Sequence, residues 1–400
     1  MNRYAAPFAV GKFAHMDGLR PLRLLTVSHF FESHGGGIER VAGHVSRELA
    51  ALGHEAAWAA SAADPAPADA AISAVPLRCV NPTERLTGLP MPIPVPSGLA
   101  ALSRAIRRAD AVIVHDAMYC TSISAMVLAR RHRKPVILIQ HIAAIEFASP
   151  AMRHLMRLAN RVVTRPMLGM ADRSVFISDT VRKAFADAPM KRPPSLLFNG
   201  VDTAIFHPAA PERERLGLPA TGTVAAFVGR FVTKKGLAVL RALAGARPEL
   251  TIVMAGSGPI DPAQWQLPNV RLVGPLDAAG VAALFRSSDM LLLPSVGEGY
   301  PLVIQEALAC GLPVVCGAES AVADPGASRW LRGVAIDLGD PDGTANRIGR
   351  AIDRPRPDPK DRAEMAAYAR HTYRWSAQAE ALACLADEMV RGSEPRSAKI

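Results

Sequence analysis

The chain has 400 residues, half of them hydrophobic and 20% charged, with a net charge of +10. That is length for two domains and apolar content for ordinary cores, which argues against a disordered chain. Five scattered cysteines (Cys79, Cys120, Cys310, Cys316, Cys384) without a CxxC pair speak against a disulfide framework or zinc site and for a reducing, cytosolic compartment, and no run of about 18 apolar residues is available to span a membrane.

In chain order, residues 1–21 come first, with Lys12, His15 and Asp17 where a signal peptide needs an apolar core, so they read as a loose leader. "LRLLTVSHFF" (22–31) reads as an apolar strand, "ESHGGGIER" as a glycine turn and "VAGHVSRELAALGHEAA" as a helix, the opening of a nucleotide-binding type of sheet. The triple glycine 35–37 leaves no side chain between backbone and ligand, so the amides of Gly36 and Gly37 are free to face phosphate; a flexible turn is the competing reading. "ADAVIVHD" (109–116) and "KPVILIQH" (134–141) are further apolar runs ending in polar residues, as buried parallel strands do. "RSVFISDTVRKAFADA" adds a strand and a helix capped by Ser178 or Asp179, and "PSLLFNGVDTAIFHP" a strand ending at Pro208. The rhythm then restarts with strands in "TVAAFVGR" (223–230), "ELTIVMAGSGP" (249–259), "VRLVGPL" (270–276), "DMLLLPS" (289–295) and "LPVVCG" (312–317), separated by helices. The expectation is an α/β chain of two Rossmann-like doubly wound domains facing a central cleft: 22–205, 206–373, a helix at 374–392 returning to the first domain, and a frayed tail at 393–400.

The charge is unevenly placed. Residues 1–200 carry 24 Lys/Arg against 14 Asp/Glu, whereas residues 201–400 carry 22 against 22. The first half therefore faces something anionic. In "MRHLMRLANRVVTR", Arg153, Arg157, Arg161 and Arg165 recur every four residues, and "RRHRK" (130–134) adds charge. A solvated basic coat competes with docking on an anionic membrane surface. Nucleic acid fits less well, because aromatics are not interleaved with the basic tracts.

The stretch "GEGYPLVIQEALACGLPVV" (297–315) holds Glu298 in a loop and Glu306 on a helix that Pro301 opens and Gly311 stops. Amides at the start of that helix favour an anion by about 0.3–1 kcal/mol beside Glu298. This arrangement suits a ligand with phosphates at one end and hydroxyls at the other. Arg230 and Lys235 in "GRFVTKKGL" are a forked donor and a point charge suited to a diphosphate. Gly256 and Gly258 in "MAGSGP" read as a turn allowing close backbone approach. His115-Asp116 is an acceptor-side candidate or a local hydrogen-bonded pair, and Asp340-Pro-Asp342 reads as a turn and helix cap rather than a metal site.

Together, "GGGIERVAGHVSRELAALGHE", "ILIQHIA", "NGVDTAIFHP", "GRFVTKKGL", "AGSGP", "NVRLVGPL" and "LFRSSDMLLLPSVGEGYPLVIQEALACGLPVV" resemble, in order and spacing, the retaining glycosyltransferases of family four, which have the GT-B fold. The resemblance covers about residues 22–390. It implies that Glu306 holds the ribose and Glu298 the sugar of a nucleotide-sugar, and that His141 stands at the sugar. Arg230, Lys235, Gly36, Gly37 and the backbone of Gly299, Tyr300, Leu302 and Val303 would then hold the diphosphate. One departure is Gly299-Tyr300-Pro301 where many members have Gly-Phe-Gly; Pro301 removes one amide. The function expected is metal-independent transfer of a sugar from a nucleotide diphosphate to a hydroxyl of a glycan, which the basic first half makes lipid-linked, for cell-surface polysaccharide, lipopolysaccharide or glycolipid assembly. No resident cofactor is implied, and the cysteine usage and basic first half together lead to a cytoplasmic location, peripheral on the inner membrane face. A nucleotide-sugar epimerase or hydrolase of the same fold, and a non-catalytic nucleotide-sugar-binding protein, are the rivals.

Overall fold

The structure, a computed structural model, describes residues 20–82, 91–143, 150–355 and 358–393. It divides into two compact units, residues 1–200 with 375–400 and residues 201–374, so the chain crosses at 200/201 and again at 374/375. Residues 1–19 of the expected leader and 394–400 of the expected tail lie outside the described residues.

The first unit is built on a seven-stranded parallel sheet in the order β3-β2-β1-β6-β7-β8-β9. Its strands are β1 (Arg23–Val27), β2 (Glu55–Ser61), β3 (Ile72–Leu77), β6 (Ala111–His115), β7 (Val136–Gln140), β8 (Arg173–Phe176) and β9 (Ser195–Leu196); β4 (Cys79–Val80) and β5 (Ile93–Pro94) pair antiparallel beside it. Every residue of β6 and β7 is buried, which is why both read as unbroken apolar runs rather than alternating ones. The helices are α1 (Gly37–Ala51), α2 (Pro96–Arg108), α3 (Cys120–Arg131), α4 (Pro150–Ala159), α5 (Arg165–Met170) and α6 (Asp179–Ala184), with a π-helical turn (Asn160–Thr164) joining α4 to α5. Ser178 caps α6 by accepting from the Val181 amide at 3.1 Å.

Two expectations need correction here. The helix read through "GHEAA" stops at Ala51, because Gly53 turns left-handed at φ 86°, and "EAAWAAS" becomes β2. The strand read across "PSLLFNGVDTAIFHP" shrinks to Ser195–Leu196.

The second unit is a six-stranded parallel sheet, β12-β11-β10-β13-β14-β15. Its strands are β10 (Thr223–Val228), β11 (Leu250–Ala255), β12 (Val270–Gly274), β13 (Met290–Leu293), β14 (Val314–Gly317) and β15 (Leu331–Val334). Helices α7 (Leu237–Ala246), α8 (Ala278–Ser287), α9 (Leu302–Ala309), α10 (Ala318–Ala321), α11 (Pro341–Ile352) and α12 (Pro359–Thr372) cover it. Asp340 caps α11 by accepting from the Gly343 amide at 2.9 Å, which accounts for the Asp-Pro-Asp sequence. The last helix, α13 (Trp375–Ser393), belongs to the first unit and packs on α1, where the His44 ring stacks on Trp375 at 4.4 Å.

Each sheet reverses its strand order once, between β1 and β6 in the first unit and between β10 and β13 in the second. Such switch points open a crevice beyond the carboxyl ends of the strands, where doubly wound sheets bind ligands.

Candidate functional site

The switch point of the second unit gathers Lys235 and Glu298. β10 ends at Val228, and the chain runs through a 3₁₀ turn (Thr233–Lys235) into α7. Gly236 makes the turn possible: its φ is 74°, and a Cβ there would lie 2.2 Å from the Pro294 carbonyl oxygen. The Lys234 carbonyl accepts from the Val296 amide at 3.0 Å and so fastens this turn to the loop that follows β13. Lys235 Nζ then meets Glu298 Oε1 at 2.6 Å, with both side chains mostly enclosed. An ammonium has three donors, so this bond leaves others for a ligand oxygen.

Lys234, which sequence reading passed over, belongs to the same cluster. Partial burial holds its pKa below the ordinary lysine value; the Glu298 charge opposes that shift, and Lys235 and Arg230 reinforce it. Arg230 itself is exposed. Helix α9 starts one residue later than expected, with Pro301 as its N-cap and no side chain capping it, so the first-turn amides of Leu302 and Val303 have no side-chain cap in front of them. Glu306 lies one turn further on, part-exposed. Tyr300 does not present its side chain at the surface: it is 3% exposed, and its hydroxyl meets Tyr373 at 3.0 Å. Only its backbone remains for a ligand.

Gly256 and Gly258 do allow a close backbone approach. A Cβ at 256 would sit 2.0 Å from the Gly229 carbonyl oxygen, and one at 258 would sit 2.5 Å from that of Phe231. The close approach they allow is to the 229–231 backbone, tied by Phe231 N–H to Ser257 O at 2.7 Å. They shape the loop that carries Arg230.

The switch point of the first unit holds a histidine cluster. His115 ends β6 and His141 follows β7, with His115 Nδ1 and His141 Nε2 3.0 Å apart. Asp116 stands at φ 61°, a left-handed position that a short polar side chain tolerates. It accepts from the Met118 amide and from Gln140 Nε2, while Gln140 Oε1 accepts from the Ala117 amide. His115 and Asp116 are both fully enclosed and do not bond each other, so they brace the end of β7 rather than form a pair open to a ligand. Burial pushes His141 down to about 3, with the His29 charge adding to the shift, and burial likewise pushes His115 well down and Asp116 up. His141 is therefore neutral at pH 7.

His29, Glu39 and Tyr119 complete this cluster, and sequence reading missed all three. His29 lies two residues past β1, close to the strand's carboxyl end as His115 and His141 are on theirs, which is the signal that was there to use. Its Nε2 meets Glu39 Oε1 at 2.8 Å, and its ring stacks on Tyr119 at 3.6 Å. Burial pushes Glu39 up, but the hydrogen bond and charge of His29 outweigh it and hold the carboxyl below its usual range. Glu39 also explains the middle glycine of the triple: a Cβ at Gly36 would lie 2.1 Å from Glu39 Oε2. Gly36 N-caps α1 with no side-chain cap of its own and Gly37 is its first residue, while the Glu39 carboxylate folds back over this turn and accepts from its own backbone amide.

On α4 and the π turn, Arg157 and Arg161 are exposed, and so are Leu155, Leu158 and Val162, at 52%, 48% and 58%. The regular arginine stripe is interrupted by the π turn, where Asn160 accepts from the Thr164 hydroxyl at 2.9 Å. Arg165 is drawn to Asp187 at 2.7 Å. The side chain of Arg153 lies outside the described residues. Among the described residues no helix is long and apolar enough to cross a membrane, and no group of His, Cys, Asp and Glu is placed to hold a metal ion.

Comparison with known proteins agrees with this fold. Residues 222–354 match the model of glycosyl transferases group 1, and residues 35–205 match that of glycosyltransferase family 4. The D-inositol 3-phosphate glycosyltransferase of Salinispora arenicola is 34% identical over 236 residues, 50% of this chain and 51% of that protein, so the chain spans about half the length of this relative. The enzyme of the same name from Kineococcus radiotolerans is 30% identical over 324 residues, covering 71% of this chain and 74% of its own. The structure of Anabaena HepE, solved in complex with UDP and glucose, superposes with a TM-score of 0.63 at 17% identity, over 92% of this chain and 100% of that one. The two doubly wound units are thus those of the GT-B fold, and the chain belongs to the family 4, group 1 glycosyltransferases.

Proposed function

We propose that the chain transfers a sugar from a nucleoside diphosphate to a hydroxyl with retention of anomeric configuration. The observation that carries this reading is the Lys235–Glu298 pair at the β10/β13 switch point, flanked by Lys234, Arg230 and the uncapped start of α9. Three cations and helix amides converge where a diphosphate needs charge compensation, and a carboxylate beside them suits sugar hydroxyls. Glu306, one turn along α9, is assigned the ribose hydroxyls.

In the proposed reaction the bond between the anomeric carbon and the diphosphate oxygen breaks, and the acceptor oxygen bonds to the same face of that carbon. The acceptor's proton passes to the departing phosphate oxygen. Arg230, Lys235 and the α9 amides stabilise the leaving charge, as preorganised donors do. Those groups supply the positive charge that a divalent ion supplies elsewhere, so the reaction proceeds without one. His141, neutral at pH 7, is assigned a hydrogen bond to the sugar.

On the acceptor side, the exposed Leu155, Leu158 and Val162 beside Arg157 and Arg161 make an amphipathic basic surface on α4 and the π turn that follows it. Such a surface favours the headgroup region of an anionic bilayer, and supports a lipid-linked glycan as acceptor at a cytoplasmic membrane face.

The test is incubation of the purified protein with UDP-, GDP- and ADP-sugars, with and without a lipid-linked glycan extract, in EDTA. New glycan carrying the donor's anomeric configuration is expected. Release of free sugar or a changed nucleotide-sugar without acceptor would make the protein a hydrolase or epimerase. A strict requirement for Mg²⁺ would overturn the metal-free chemistry.

A further inference from the structure

The donor loop is held from two sides. Glu298 is bound to Lys235, and two residues on Tyr300 enters a buried chain of hydroxyls that no part of the reaction uses. Tyr373 Oη donates to Asp324 Oδ2 at 2.5 Å, and Tyr300 Oη lies 3.0 Å from Tyr373 Oη. Tyr368 Oη donates to both Asp324 oxygens, at 3.0 and 2.9 Å, and the Gly326 amide donates to Oδ1 at 2.8 Å. Tyr300, Tyr373 and Asp324 are 3%, 0% and 1% exposed. Among the described residues Asp324 has no ion pair, so this enclosed carboxylate is held by hydrogen bonds. Removing a donor leaves a buried acceptor short, which such a site tolerates poorly.

The direction of the chain follows from counting protons. A phenol has one, and Tyr373 gives its own to Asp324. Tyr300 must therefore donate to Tyr373. Burial pushes both phenols well above their ordinary pKa, so this polarity persists across the working pH range. Tyr373 is itself fixed at both backbone ends: its N–H donates to the Ala369 carbonyl at 2.8 Å, and its carbonyl accepts from the Val201 amide at 2.7 Å. The anchor is thus the end of α12 and the segment where the chain crosses out of the second unit.

Resting on the donor-site reading above, we infer that Tyr373 and Asp324 are positioning residues for the nucleoside diphosphate: through the Tyr300 hydroxyl they set the loop from Glu298 to Pro301 and the first amides of α9. Pro301 makes the anchor matter more, since it removes one amide from that turn, and the remaining ones at Leu302 and Val303 must be well placed to bind phosphate. A phenylalanine at 300 would fill the same space and leave the loop without this tether.

The experiment compares Tyr300→Phe, Tyr373→Phe and the double variant with wild type, by calorimetric titration with UDP, GDP and ADP in turn. Tyr368→Phe is the control, because it removes a bond to Asp324 off the path to the loop. Each variant on the path should weaken the best nucleoside diphosphate about three- to tenfold, as loss of one hydrogen bond does, and the double variant should be no weaker than the worse single one. Tyr368→Phe should lower the Tm yet bind like wild type. Wild-type affinity in Tyr300→Phe, or equal weakening in Tyr368→Phe, would overturn the inference while leaving the donor site standing. Wild type binding none of the three would overturn the donor-site reading and this inference with it.

Discussion

Lys235 and Glu298 are 63 positions apart and meet because two adjacent strands end side by side. Replacing either by an isosteric neutral residue, Lys235→Met or Glu298→Gln, should cut kcat/KM at least tenfold, about 1.4 kcal/mol of barrier, with the fold intact by circular dichroism. Unchanged kinetics in both would remove the pair from the site. Glu39 poses a different question. Deleting one partner of a buried pair strands the other, at a cost of about 3–5 kcal/mol. Glu39→Ala should therefore destabilise the first unit strongly, whereas Glu39→Gln keeps an acceptor for His29 and should lose much less; equal thermal unfolding of the two variants would refute the pairing. At this scale the sequence was half legible. Lys235 and Glu298 stood out as charges beside apolar runs, and His141 was named through the family resemblance. His29 and Tyr119 did not stand out by charge, since their roles come from stacking between segments far apart in the chain, and the backbone that packs against Gly256 and Gly258 comes from another loop.

Elements were easier to read where burial is two-sided. β6, β7, β10 and β13 stand out because apolar runs bounded by polar residues have few other uses. β2 escaped because Ala-rich "EAAWAAS" has high helix propensity and its pairing with β1 and β3 makes it a strand. β3 carries Pro76, which lowers any strand reading, and it lies at the sheet edge where a missing N–H is tolerated. Helix α4 tests the membrane reading. Its exposed leucines and arginines act together if it lies in a headgroup layer, each basic residue contributing about 1 kcal/mol near an anionic surface. Co-sedimentation with anionic vesicles at low salt should fall for Arg157→Gln/Arg161→Gln and for Leu155→Ser/Leu158→Ser, with neutral vesicles binding little. Equal binding to both vesicle types, or no loss in either variant, would leave a basic coat and nothing more.

For the whole molecule, the buried histidines predict how stability depends on pH. His115 and His141 are enclosed and held neutral, and burial also lowers His54, whose Nδ1 accepts from the Leu22 amide at 3.2 Å and so cannot carry a proton there. All three lie in the first unit. An unfolded histidine titrates near 6.5, while His141 in the fold titrates at about 3. Between those values the unfolded chain binds the proton and the native one does not, so stability must rise with pH through this window and fall on acidification. For His141 alone the loss at pH 5.5 is about 1.4 kcal/mol, from the share of unfolded chain already protonated there. The sign is the same for the carboxylate Glu39, whose depressed pKa also yields stability that is lost on acidification, but in a more acid window. The expected result is a Tm several degrees lower at pH 5.5 than at pH 7.5. The difference should shrink in His141→Asn, which keeps a polar side chain but cannot take up the proton. A Tm flat from pH 7.5 to 5.5 in the wild type, or the same slope in the variant, would mean that the histidine cluster admits protons in the native state. A neutral His141 could not then be assumed at the sugar.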